Sequence, residues 1–91
     1  MTPEMKTRLE EWITTLVRGM LDERERSRVS VEIQVPSDEA ATVLIRVPNS
    51  VMQYVIGRKG ANVSAVRSLV KAGFRSEGWF RRVDTQIHPV S

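Results

Sequence analysis

Apolar residues recur at three- and four-residue spacing from Met5 to Leu21, through Leu9, Trp12, Ile13, Leu16, Val17 and Met20. This period predicts an amphipathic helix over residues 3–26. Thr2 suits its N-cap and Pro3 its first turn. The pairs Glu4 with Arg8 and Asp22 with Arg26 sit four residues apart and suit a solvated outer face. The apolar stripe, Trp12 included, must cover something. The period then drops to two: Val29, Val31, Ile33 and Val35 alternate with Ser30, Glu32 and Gln34, which predicts a strand over 29–35 that Pro36 ends. A polar connector, PSDEAA, leads into a second strand over 42–47, alternating through Val43, Ile45 and Val47. The connector is of hairpin length, so the two strands are expected to pair antiparallel.

Pro48 and Asn49 stop the second strand, and Asn49 or Ser50 can cap a short helix reaching Ile56, with Val51, Tyr54 and Val55 at helical spacing. Gly57 and Gly60 interrupt it. Helical spacing returns from Ala61 to about Arg75 through Val63, Val66, Leu69, Val70 and Phe74, with Arg67, Lys71 and Arg75 as a basic line beside that stripe. Gly73 and Gly78 bracket the end of this helix. A third strand is expected over 79–87, with Trp79, Arg81, Val83, Thr85 and Ile87 on one side and Pro89 closing it. The connection from the second strand to the third runs through two helices, which predicts a right-handed crossover with those strands parallel. The expected fold class is therefore α+β, in two layers, with three helices covering one face of a three-stranded mixed sheet.

Composition narrows the class. The 91 residues suit a single domain, 1–91, since domains run to roughly 100–150 residues with a floor near 50. Apolar content of 41% and charged content of 27% leave no segment too polar to fold. There is no cysteine, which excludes disulfides and thiolate metal sites and makes the cytoplasm the expected compartment. The first residues, MTPEMKTRLEEW, carry three glutamates and no apolar segment, unlike a secretory signal. The longest uncharged run, 47–57, falls far short of the ~20 residues of a spanning helix, so no membrane role is expected. Net charge is only +3 but unevenly spread: residues 1–45 hold six Lys/Arg and nine Asp/Glu, whereas 46–91 hold eight and two. A basic half that contains the glycine turn points to a polyanionic partner.

The stretch VIGRKGANV carries the most specific chemistry. A Gly-x-x-Gly between helices permits backbone conformations closed to other residues and removes side chains where another backbone must approach. Arg58 and Lys59 at the tip would meet that backbone with positive charge. The amino end of the helix from Ala61 adds free amides and a partial positive charge that suit a phosphate. Enzymatic readings find little support: no His, Cys or Ser forms a catalytic constellation, no carboxylate pair flanks the turn, and GRKG lacks the GxxxxGK[ST] form. His88, the only histidine, has no cysteine or second histidine with which to share a metal. No catalysis, cofactor or metal is expected.

With its apolar pair, Gly-x-x-Gly and an apolar residue three positions later, VIGRKGANV resembles the signature of KH domains. The predicted element order, αββααβ, is similar to the type II (prokaryotic) KH arrangement, and the length is similar to that of the KhpA family of small bacterial single-KH proteins. The resemblance implies non-catalytic binding of single-stranded RNA, in the role of an RNA chaperone or post-transcriptional regulator. It also implies pairing with a second copy or with another KH protein. Carried onto this chain, it makes Gly57, Arg58, Lys59 and Gly60 a backbone clamp for about four nucleotides. Val55, Ile56 and Val63 become candidates for the apolar groove beneath the bases, and Asn62, Ser64 and Arg67 for polar contacts.

Other readings of the same residues stay open. Val55, Ile56 and Val63 suit a core as well as a groove, and Arg67, Lys71 and Arg75 suit a solvated helix face. Trp79 and Phe80 can stack on bases, although a strand start more naturally gives one to the core and the other to the surface or to a dimer contact. Two helices joined by a glycine turn also describe a DNA-reading helix-turn-helix, and a ribosome-associated assembly factor acting mainly through protein contacts would use the same fold. If about three basic groups contact phosphates, affinity should fall roughly 20-fold between 50 and 200 mM salt.

Overall fold

Thr2 caps the first helix as expected, its hydroxyl accepting the Met5 N–H at 3.1 Å, and helix α1 (Pro3–Arg18) follows with Leu9, Ile13 and Val17 buried. The computed structural model describes residues 1–22, 24 and 28–90. Helix α1 stops well before residue 26. Gly19 closes it, and the chain turns back through Met20 and Leu21, whose N–H groups donate to the Val17 and Arg18 carbonyls at 3.0 and 3.1 Å. Those two apolar residues continued the helical period, but a turn brings Leu21 into the core instead. The expected partner of Asp22, Arg26, lies outside the described residues. Arg8 pairs not with Glu4 but with Glu77, at 2.6 Å.

Strand β1 (Ser30–Ser37) pairs antiparallel with β2 (Ala40–Pro48), in the register Val31 to Ile45 and Ile33 to Val43. The register shifts between Gln34 and Ser37, so Val35 leaves the core face and is exposed. A 3-10 turn (Asn49–Val51) and the short helix α2 (Met52–Ile56) follow, with Pro48 rather than a side-chain cap at the entry. Helix α3 (Ala61–Ser76) then leads to β3 (Arg82–Val90), which pairs parallel with β2 from Ala40–Arg82 to Pro48–Val90. The strand order is β1-β2-β3. β3 starts three residues later than the alternation suggested and runs through Pro89; as an edge strand it tolerates the missing donor.

The three helices cover one face of this mixed sheet, as the element order predicted. Ile13 and Val17 from α1, Ile33, Val43, Ile45 and Val47 from the sheet, and Val70 and Phe74 from α3 are fully buried between the layers. Each contributes roughly 1.5–3 kcal/mol by leaving water. Trp79 joins the core just before β3, edge-on to Phe74 with ring centroids 6.5 Å apart. Glu10 ties the layers at the sheet edge, its carboxylate accepting the Ile33 N–H at 2.8 Å. Leu69, expected in the buried stripe of α3, is instead exposed beside Trp12. Among the described residues, no helix is long and apolar enough to cross a membrane.

Candidate nucleic-acid interface

The glycine turn takes backbone conformations that its sequence requires. Gly57 has φ 77° and ψ 174°, Lys59 φ 54°, and Gly60 φ 77° and ψ 14°, so three of the four positions between α2 and α3 lie at positive φ. At Gly57 space adds to the constraint, because a Cβ there would lie 2.7–2.9 Å from Asn62, including its backbone nitrogen. At Gly60 a Cβ would meet only Val63 at 3.8 Å, and φ alone favours glycine. The Gly60 N–H donates to the Gly57 carbonyl at 3.2 Å and the Gly57 N–H to Gln53 at 2.9 Å, which folds the turn tightly between the helices. Arg58 and Lys59 project from it, exposed. No side chain caps the start of α3, whose Ala61 N–H donates back to the Arg58 carbonyl, and the positive end of the helix dipole lies at the turn.

Asn62 serves the turn from within: its Nδ2 donates to the Tyr54 carbonyl at 2.7 Å, joining the last turn of α2 to the first turn of α3. The side chain expected to contact a ligand thus holds the loop. Val55 is fully buried, which corrects its place in the groove; it supports the turn from below as part of the core. Ile56 is exposed beside Gly57 and Val63 is half-buried, so these two of the three apolar candidates reach the surface.

Ser64 and Arg67 lie three residues apart on α3, followed on the same face by Ser68 and Lys71. Arg67, Ser68 and Lys71 form one wall of an open cleft of about 540 Å³ whose other wall is the edge strand, residues 82–86. This cleft adds Lys71, Val83, Thr85 and Gln86 to the surface, none of which was among the candidate residues. Lys71 was visible in the four-spaced basic line, but the strand wall depended on knowing that β3 forms an edge. Among the described residues, Arg58, Lys59, Arg67 and Lys71 have no ion-pair partner, whereas Arg8, Arg46, Arg81 and Arg82 each have a carboxylate within 3.5 Å. Arg75, the third residue of the basic line, does not line the cleft.

No family model matches the sequence, and no curated protein matches it either. Comparison of folds is more informative. The chain is similar to a point variant of Aquifex aeolicus Era bound to GDP·AlF4−, with a TM-score of 0.73 and 14% identity over 94% of this chain and 32% of that one. The fold is KH-like. A second similar structure is Era in complex with MgGDPNP and nucleotides 1506–1542 of 16S ribosomal RNA, with a TM-score of 0.72 and 14% identity, covering 99% of this chain. The chain spans about a third of the length of these solved structures, 32% and 35%. The turn at 57–60 has Gly-x-x-Gly spacing, and the cleft between α3 and β3 lies along the helix that follows it.

Proposed function

We propose that this chain binds single-stranded RNA through its GxxG loop and the adjoining cleft, without catalysis and without a cofactor. The observation that carries the reading is continuity: four cations without ion-pair partners among the described residues run from the glycine turn along one face of α3 into a cleft walled by the edge strand. Gly57 and Gly60 let a phosphodiester backbone approach, and Arg58 and Lys59 neutralise it at the positive end of the α3 dipole. Ile56 and Val63 offer apolar surface to unstacked bases, while Arg67 and Lys71 hold the strand along the cleft. A duplex, whose bases are stacked, would meet only the charges.

The solved complex of Era with a segment of 16S ribosomal RNA lends this reading support and favours ribosomal RNA as the target class. We assign the chain to the cytoplasm as a KhpA-like RNA chaperone or post-transcriptional regulator. A single domain reading about four nucleotides binds weakly, so it acts with a second copy or another KH protein. A DNA-reading helix-turn-helix fits less well, because α2 has only five residues and offers a recognition helix little support.

With Lys71 added, four phosphate contacts give a salt slope near −2.8, a loss of roughly 50-fold between 50 and 200 mM salt. The test is fluorescence anisotropy of a labelled single-stranded RNA pool with wild type and with Arg58→Asp/Lys59→Asp, duplex DNA as competitor and circular dichroism as the control for folding. The expected result is a folded variant that loses RNA binding, with poor competition by duplex. Unchanged RNA affinity, or preference for duplex DNA, would overturn the reading.

A further inference from the structure

Helix α3 runs from the glycine turn at its amino end to Gly78 beyond its carboxyl end, and only three residues separate Gly78 from β3. The first residues of β3 therefore lie at the end of the molecule away from the GxxG loop. Lys71 and Arg82 both line the cleft, and Lys71 lies ten residues of helix beyond Ala61, or about 15 Å. Two residues before Arg82 stands Phe80, 76% exposed and the most exposed large apolar side chain among the described residues. Its neighbour Trp79 is packed in the core against Phe74, its indole N–H donating to the Arg82 carbonyl at 3.4 Å, which fixes the backbone on which Phe80 is displayed. Arg81 is tied to the hairpin between β1 and β2 through the Asp38 carbonyl and Glu39. The segment is held on both sides while the ring it presents stays in solvent.

We propose that Phe80 is a stacking platform for an RNA base lying beyond the nucleotides held by the GxxG loop, so that the binding site continues past the cleft. This rests on the single-stranded RNA reading given above. A KH loop clamps about four nucleotides, and the far end of the cleft is where the following nucleotide would emerge. Charge there favours nucleic acid over an apolar protein segment: Arg67 and Lys71 line the cleft without ion-pair partners among the described residues, beside the Arg82–Asp84 pair. An exposed aromatic beside cations is the arrangement that holds successive bases of a single strand without reading their identity.

The consequence is a dependence on length. Anisotropy with fluorescein-labelled random pools of four and of eight nucleotides is compared for wild type, Phe80→Ala, Phe80→Tyr and the Arg58→Asp/Lys59→Asp variant. Phe80→Ala should weaken binding of the eight-nucleotide pool by about tenfold, a typical stacking loss, and leave the four-nucleotide pool nearly unchanged. Phe80→Tyr should keep the wild-type preference. If Phe80→Ala weakens both pools equally or neither, the platform is wrong while the clamp stands. A change in sedimentation with no change in RNA binding would make Phe80 a protein contact and overturn the proposal. If wild type binds neither pool, or the clamp variant binds both as wild type does, it is the RNA reading itself that fails, whatever Phe80 does.

Discussion

On one flank of α3, Gly73 lets the Trp12 ring of α1 lie against the helix, Leu69 sits exposed beside it, and Arg8 closes the end of the groove on Glu77 at 2.6 Å. On the other flank, Arg67 and Lys71 face β3 without ion-pair partners among the described residues. At ~100° per residue the two sets, 67 and 71 against 69, 72 and 76, lie on nearly opposite sides of the same helix. The apolar flank has Arg8 paired with Glu77 and its glycine placed for packing. The basic flank continues from a turn whose glycines are placed for the approach of another chain. One helix thus separates what holds the domain together from what it presents to a polyanion, and substitutions on the two sides should have separable effects.

The largest effect is expected on the packing side. A Cβ at position 73 would stand 2.4 Å from the Trp12 ring, so Gly73→Val should cost roughly 1–3 kcal/mol through overpacking. A melting curve would show a midpoint at least about 4 °C lower, with the folded fraction binding RNA as before. The mirror experiment, Arg67→Gln with Lys71→Gln, should leave the midpoint in place. It leaves two phosphate contacts, so the affinity loss between 50 and 200 mM salt should shrink from roughly 50-fold to about sevenfold, whereas Arg75→Gln should alter it little.

Asn62 tests where loop support ends and ligand contact begins. Removing its hydrogen bond to Tyr54 should cost about 0.5–1.5 kcal/mol, and Asn62→Ala should weaken RNA binding severalfold with an unchanged salt slope. A slope altered as much as by Arg67→Gln with Lys71→Gln would show that the loop's charges had moved out of place. The smallest effect concerns the Arg8–Glu77 pair. The guanidinium holds the Glu77 carboxyl below its usual range, first through the hydrogen bond and then through charge. A carboxylate whose folded value is depressed adds stability that is present above its unfolded value, near 4.3, and lost as pH falls through the folded one. Glu77→Gln should therefore flatten the acid side of a stability-against-pH curve and leave the RNA cleft unaffected; the pair is exposed, and the change should be slight.

The period-two and period-3.6 patterns made the two-layer fold legible, because burial on one face writes itself directly into sequence. Gly57 and Gly60 were legible for a related reason: few residues other than glycine adopt their backbone. The end of α1 was not, since Met20 and Leu21 keep an apolar period whether they continue a helix or turn back beneath it. Leu69 left its expected surroundings, and Val55 took the core rather than the groove, because a helical stripe is wide and its edges are assigned only when the neighbouring elements are packed. The strand wall of the cleft was invisible for the same reason: which edge of a sheet stays open depends on strand order, which no local pattern encodes. The part Asn62 plays in holding the loop was not legible, because sequence cannot say that the Tyr54 carbonyl lies within 2.7 Å of it.

The most direct measurement is an NMR titration of uniformly labelled protein with an eight-nucleotide single-stranded RNA pool, following backbone amides on both flanks of α3. The account predicts shifts at Gly57 to Val63, at Arg67, Ser68 and Lys71, and at Val83 to Gln86, with Thr15, Leu69, Ala72 and Ser76 unmoved. Shifts concentrated on Trp12, Leu69 and Ala72, with the glycine turn silent, would contradict it.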